Sequence, residues 1–129
     1  MDDSTTTILY VEDNPDNRML VQRILMVEGY RVLQAESAAR AREILQTQTP
    51  DLILMDINMP DIDGYSLTAE FKQLPQLKHT PIIALTANVM RGDRERTLEA
   101  GCDGYLQKPV DVDALPGQIE YFLSKRYNL

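Results

Sequence analysis

The sequence has a single cysteine, Cys102, so no disulfide can close within the chain and a disulfide-stapled secreted scaffold is excluded. No uninterrupted apolar run exceeds the four residues of Leu52 to Met55, far short of the ~18 that a membrane-spanning helix needs. The opening Met-Asp-Asp-Ser-Thr-Thr-Thr lacks the basic and apolar regions of a secretory leader, which points to a cytoplasmic chain. Basic residues are in short supply too: 13 Lys and Arg face 20 Asp and Glu, a net charge of −7. A phosphate backbone is gripped by a basic face, so direct nucleic-acid binding is not expected.

What the sequence does contain is an ordinary globular composition, 43% hydrophobic and 26% charged over 129 residues, enough for one core and too little for two. We expect a flexible start over 1–6 and a single domain over 7–127, with no second domain. Short β-branched apolar runs occur at Ile8 to Val11, Tyr30 to Gln34, Leu52 to Met55, Pro81 to Leu85 and, more weakly, Gly104 to Gln107. Stretches with helical spacing lie between them, and this alternation predicts an α/β fold, a parallel sheet covered by helices on both faces.

Asn14-Pro15 reads as a cap and first turn, followed by an inward stripe of Leu20, Val21, Ile24, Leu25 and Val27 before Gly29. Ser37 caps a second helix with Ala38, Ala41, Ile44 and Leu45 inward, and Asp63 a third with Leu67, Phe71 and Leu74 on one face. A polar fourth helix spans Met90 to Ala100 and stops at Gly101. A last one begins near Pro116, after an irregular turn from Asp111, and runs to about Arg126.

In an open parallel sheet the chemistry lies beyond the carboxyl ends of the strands. The first strand ends in Glu12-Asp13, the third in Asp56, the fourth in Thr86 and the fifth in Lys108-Pro109. Three carboxylates packed together repel one another unless a cation joins them. With no Cys/His cluster for zinc, the oxygen donors suit Mg²⁺, with Asp13 and Asp56 as its natural ligands. Asp56, central and alone at its strand end, is then the candidate nucleophile on phosphorus, with Lys108 and the Thr86 hydroxyl on the phosphoryl oxygens.

The segments Ile-Leu-Tyr-Val-Glu12-Asp13-Asn14, Leu-Ile-Leu-Met-Asp56-Ile-Asn-Met-Pro60-Asp-Ile-Asp-Gly64, Ile-Ile-Ala-Leu-Thr86-Ala87 and Gly104-Tyr105-Leu-Gln-Lys108-Pro109 together resemble the signature of response-regulator receiver domains, the CheY-like family. The likeness extends to stand-alone receivers of the CheY and DivK kind. It implies a flavodoxin-like fold of five strands in the order 2-1-3-4-5 with five helices. It implies a two-component phosphorelay switch in which Asp56 takes a phosphoryl group from a phosphohistidine of a histidine kinase or histidine phosphotransfer protein. The implied Mg²⁺ is held by Asp13, Asp56 and the backbone carbonyl of Asn58, with Glu12 assisting. Thr86 and Tyr105 match the switch pair, Lys108-Pro109 matches a cis peptide, and the face of the fourth helix, fifth strand and last helix matches the output surface. Such a domain catalyses its own phosphorylation and dephosphorylation without being a turnover enzyme, and a monomer is expected.

Other readings give way. A calcium loop from Asp56 fails because Pro60 takes a ligand position and Gly64 is misplaced. A haloacid-dehalogenase-type phosphatase, the alternative Mg²⁺-dependent reading, needs an acid two residues after its nucleophile, where this chain has Asn58. A flavin carrier needs a hydroxyl- and glycine-rich phosphate loop after the first strand, where this chain has Glu12-Asp13-Asn14-Pro15. Cys102 reads as an inert, partly buried thiol, and His79 has no assigned role.

Overall fold

The computed structural model describes residues 5–60, 62–87 and 93–125. The elements are β1 (Thr7–Val11), α1 (Pro15–Val27), β2 (Arg31–Ala35), α2 (Ala38–Leu45), β3 (Leu52–Asp56), α3 (Gly64–Lys72), a 3-10 turn (Pro75–Leu77), β4 (Ile82–Thr86), α4 (Asp93–Ala100), β5 (Gly104–Gln107) and α5 (Leu115–Lys125). The five strands are all parallel, in the order β2-β1-β3-β4-β5. The expected sheet and its order are thus both present.

Each core layer follows from strand alternation. Leu9, Val11, Ile53, Met55, Ile82 and Ala84 face α2 and α3, packing with Ala41, Ile44, Leu67 and Phe71. Ile8, Tyr10, Leu52, Leu54, Ile83 and Leu85 face α1 and α5, packing with Val21, Leu25, Leu115 and Ile119. The residues of β3 and β4 are buried throughout, and each fully buried aliphatic side chain contributes roughly 1.5–3 kcal/mol. These two strands are the rigid base on which Asp56 and Thr86 stand.

Helix starts match their caps. Asn14 accepts from the Asn17 amide at 3.0 Å, Ser37 from Arg40 at 3.1 Å and Asp63 from Tyr65 at 3.0 Å, each satisfying an amide left without an intrahelical partner. Gly29 and Gly101 take positive φ, 91° and 98°, where a helix closes. The last helix begins one residue before Pro116, whose place in the first turn removes no intrahelical bond. Asp111 caps that approach by accepting from the amides of Asp113 and Ala114.

Two expectations are corrected. Leu20 and Val27, assigned to the inner stripe of α1, are solvent-exposed at 41% and 83%, as are Met19 and Met26. Only Val21, Leu25 and, partly, Ile24 reach the sheet, because one helix face covers a sheet and α1 carries apolar residues on two. After α3 the chain forms the short 3-10 turn, which buries Leu77, where a plain stop at Pro75 was expected. The expected start of the fourth helix at Met90, its lead segment through Arg91, the first four residues and the chain beyond Lys125 lie outside the described residues. Among the described residues no helix is long and apolar enough to cross a membrane.

Candidate functional site

The carboxyl ends of β1, β3, β4 and β5 bring the candidate residues to one edge. Ladder bonds carry the chain past each strand end: Glu12 N–H donates to the Ala35 carbonyl at 2.9 Å, Ile57 to Leu85 at 3.0 Å and Lys108 to Thr86 at 2.8 Å. Glu12, Asp13 and Asp56 each place a carboxylate oxygen within 4.8 Å of the others. Glu12 and Asp56 are buried, while Asp13 is exposed.

Lys108 Nζ lies 2.8 Å from Glu12 Oε1 and 3.0 Å from Asp56 Oδ1, bridging the two buried acids. The Asn58 amide donates to Asp56 Oδ1 at 3.0 Å; it is this N–H that the structure brings to Asp56. Thr86 is buried at the end of β4, and Tyr105 is half-buried on β5 against the α2/α3 layer. The Lys108-Pro109 peptide is cis, matching the expectation.

Burial raises the Asp56 carboxyl, reinforced by its hydrogen bond with Glu12, to about 6, against the pull of the Asn58 amide and Lys108. Burial also opposes ionisation of Glu12, yet hydrogen bonds from Asp56 and Lys108 outweigh it and hold Glu12 below the usual glutamate range. Burial lowers Lys108, and its bonds to Glu12 and Asp56 outweigh that and leave it raised. One ammonium therefore faces two buried carboxylates and a third exposed one, a site short of positive charge. Clustered oxygen donors, one of them open to water, fit a hard divalent cation that keeps part of its hydration shell.

Two neighbours escaped the sequence reading. Tyr10 is fully buried in β1, and its hydroxyl donates to Glu12 Oε1 at 2.9 Å; burial pushes that hydroxyl far above the usual tyrosine range. The signal lay in an i, i+2 spacing that puts Tyr10 and Glu12 on one side of the strand. Arg18 turns back from α1 and donates from Nη1 to the Glu12 carbonyl at 2.8 Å and the Asp13 carbonyl at 3.0 Å. Gly64 has a similar supporting place: a Cβ there would lie 2.6 Å from both the Asp56 carbonyl oxygen and the Ile57 Cα, so only glycine lets α3 begin so close to the end of β3.

Comparison with known proteins agrees with this geometry. Residues 8–120 match the family model of the response regulator receiver domain. The polar-differentiation response regulator DivK of Brucella ovis is 36% identical over 119 residues, covering 92% of this chain and 97% of that protein. A CheY-like receiver domain protein from Methanospirillum hungatei superimposes with a TM-score of 0.88 at 28% identity, covering 97% and 98% of the two chains. The receiver domain of the sensor histidine kinase PA1611 from Pseudomonas aeruginosa, solved with magnesium coordinated in its active-site cleft, gives a TM-score of 0.84 at 39% identity over 94% and 99%. The comparisons lend nothing to the haloacid-dehalogenase alternative.

Proposed function

The chain belongs to the response regulator receiver domain family of two-component signalling, and from that membership we propose that Asp56 is its phosphoacceptor, loaded from a phosphohistidine of a histidine kinase or histidine phosphotransfer protein. The observation that carries this reading is Lys108 bridging Glu12 and Asp56 beside Asp13, at the carboxyl edge of the sheet. Asp13, Asp56 and the Asn58 carbonyl would hold Mg²⁺, with Glu12 assisting. When bound, Mg²⁺ supplies positive charge to the phosphoryl oxygens and to the acids around them.

A carboxylate oxygen of Asp56 attacks phosphorus in line, the phosphorus–nitrogen bond of the donor breaks, and the phosphoryl group remains on Asp56. Lys108 moves its ammonium from carboxylate to phosphoryl oxygen, and the Thr86 hydroxyl donates to a second oxygen. Movement of Thr86 leaves space that Tyr105 fills by turning inward, so the α4-β5-α5 face changes. This is a population shift between two arrangements. Because the group moved ends on the chain's own side chain, the protein acts as a signalling switch and not as a turnover enzyme.

The phosphodonor reaches Asp56 across the start of α1 and the loop after β5. A depression of about 270 Å³ lined by Asn17, Ala87, Lys108, Pro109 and Val110 supports this approach. Cys102, unpaired and buried, accords with a reducing cytoplasm, and a monomer remains the proposed state.

Incubation with acetyl phosphate and Mg²⁺ followed by intact-mass measurement tests the assignment. The parent chain gains one phosphoryl group and Asp56→Asn gains none, because an amide is neither an adequate nucleophile nor an anionic ligand. Equal labelling of Asp56→Asn overturns it.

A further inference from the structure

The helix α4 carries no apolar stripe. It reads Asp-Arg-Glu-Arg-Thr-Leu-Glu-Ala, its Leu98 is 57% exposed, and among the described residues of the helix Thr97 alone is buried. Apolar burial is non-directional, so a helix with little of it takes its position from individual contacts. Those of α4 fall on the first turn of α3. The Thr97 hydroxyl donates to the Tyr65 hydroxyl oxygen at 3.4 Å inside the fold. Arg96 lays its guanidinium 4.7 Å from the centre of the Tyr65 ring and brings Nη2 to 3.9 Å from Asp63 Oδ2.

That turn of α3 is fixed in its turn to the end of β3. Asp63 Oδ1 accepts from the Tyr65 amide at 3.0 Å, and the Gly64 amide donates to the Ile57 carbonyl at 3.2 Å. Asp63 also forms an antiparallel bridge with Asn58, whose amide donates to Asp56 Oδ1 at 3.0 Å. The junction has no slack, since even a Cβ at Gly64 would lie 2.6 Å from the Asp56 carbonyl oxygen. Close-packed contacts transmit a displacement instead of absorbing it, so a shift at the start of α3 moves Asp56 and Asn58.

Packing alone explains the Tyr65 ring, which is buried in the α2/α3 layer. It does not explain the hydroxyl, because a phenylalanine would fill the same place. The hydroxyl has its partner on α4, and the cation over the ring comes from α4 as well.

We propose that Tyr65 is a positioning residue for the Asp56 site, through which α4, by Thr97 and Arg96, holds the start of α3 and with it the Asn58 amide beside Asp56. This rests on the reading of Asp56 as the phosphoacceptor. It makes the site responsive to a partner that grips α4, along a path through α3 that uses neither Thr86 nor Tyr105.

Three near-isosteric changes test it. Tyr65→Phe and Thr97→Val each remove one hydroxyl of the contact. Thr68→Val is the control, removing a hydroxyl one turn along α3 that accepts from the Cys102 thiol at 3.8 Å. Labelling by acetyl phosphate and Mg²⁺ is followed by intact mass at a temperature where melts show every variant folded. The Asn58 and Gly64 amides are followed by NMR and hydrogen exchange in metal-free buffer. Tyr65→Phe and Thr97→Val should each slow labelling by roughly threefold or more, the scale of one hydrogen bond, with a shifted Asn58 amide and faster exchange at Gly64. The double variant should be no slower than the slower single one, since both changes remove the same contact. Thr68→Val should lower the melting midpoint and leave labelling and both amides unchanged. Labelling of Tyr65→Phe at the parent rate, additive slowing in the double variant, or equal slowing in Thr68→Val overturns the proposal and leaves Tyr65 as packing. Labelling of Asp56→Asn at the parent rate overturns the phosphoacceptor reading instead, and the metal-free amides then still decide whether α4 holds the loop.

Discussion

At the residue scale, the side chains proposed to meet a phosphoryl group are readable one at a time, whereas those that hold them are not. Glu12, Asp13, Asp56, Thr86 and Lys108 each stand where an apolar strand stops, and a polar residue there has few structural reasons to be present. Tyr10 lies inside such a strand and reads as core; its hydroxyl matters only because Glu12 follows two residues later on the same side. Arg18 reads as a solvated helix residue until the direction of the Glu12 and Asp13 carbonyls is known. Both act through the acidic loop, so their loss should appear in metal binding before it appears in folding. Tyr10→Phe leaves Glu12 with one donor fewer and should weaken Mg²⁺ binding several-fold, at a stability cost of about 1 kcal/mol. Arg18→Ala frees the loop backbone and should slow labelling by acetyl phosphate as well as by a phosphohistidine protein. Mg²⁺ titration by calorimetry and the two labelling rates check this. Unchanged Mg²⁺ affinity in Tyr10→Phe, or slowing of Arg18→Ala with the protein donor alone, would contradict the positioning roles.

Elements were legible where one face only is apolar. The periodicity of α2 led directly to Ala38, Ala41, Ile44 and Leu45, all buried. In α1 apolar residues occupy Met19, Leu20, Val21, Ile24, Leu25, Met26 and Val27, and spacing alone cannot say which of two faces meets the sheet. The structure turns Val21 and Leu25 inward and leaves Met19, Leu20, Met26 and Val27 to solvent, which is why the inner stripe was misread. The junction of β3 with α3 is set by the sub-van der Waals space around Gly64, a property no helical or strand period carries. Gly64→Ala pushes a methyl group into the Asp56 carbonyl and the Ile57 backbone, so α3 or the loop after β3 must shift. Overpacking of this kind costs roughly 1–3 kcal/mol. A fall in the denaturant midpoint accompanied by slower Asp56 labelling is the expected pair of results, and a fall without any change in labelling would separate Gly64 from the site.

At the scale of the whole molecule, alternating strand and helix patterns establish a parallel sheet but not its order. The order came from likeness of the four motifs to a family, and the ladder partners agree with it. The assembled sheet then concentrates charge that no strand carries alone, and this links stability to pH. The unfolded Asp56 titrates near 3.8 and the folded one near 6, so the native state binds more protons between these values. Its contribution is fully present below about 3.8 and is lost as pH rises through 6. Glu12 is shifted downward, so its contribution is lost only as pH falls below the usual glutamate range. Lys108 is shifted upward from 10.5, so its contribution is lost only in strong alkali. Between about pH 5 and 7.5 Asp56 is thus the acid of this cluster whose ionisation destabilises the metal-free fold, by roughly 1–3 kcal/mol. The proposed Mg²⁺ site needs the same carboxylate ionised, so Mg²⁺ should offset the loss at high pH and do little at low pH. Thermal melts of the parent in EDTA should therefore fall in midpoint from pH 5 to 7.5, relative to Asp56→Asn, and millimolar Mg²⁺ should close that gap at pH 7.5 but not widen stability at pH 5. Parallel pH profiles for the parent and Asp56→Asn in EDTA would mean that the buried carboxylate is already compensated by Lys108, and would remove charge relief as the reason this fold takes up a cation.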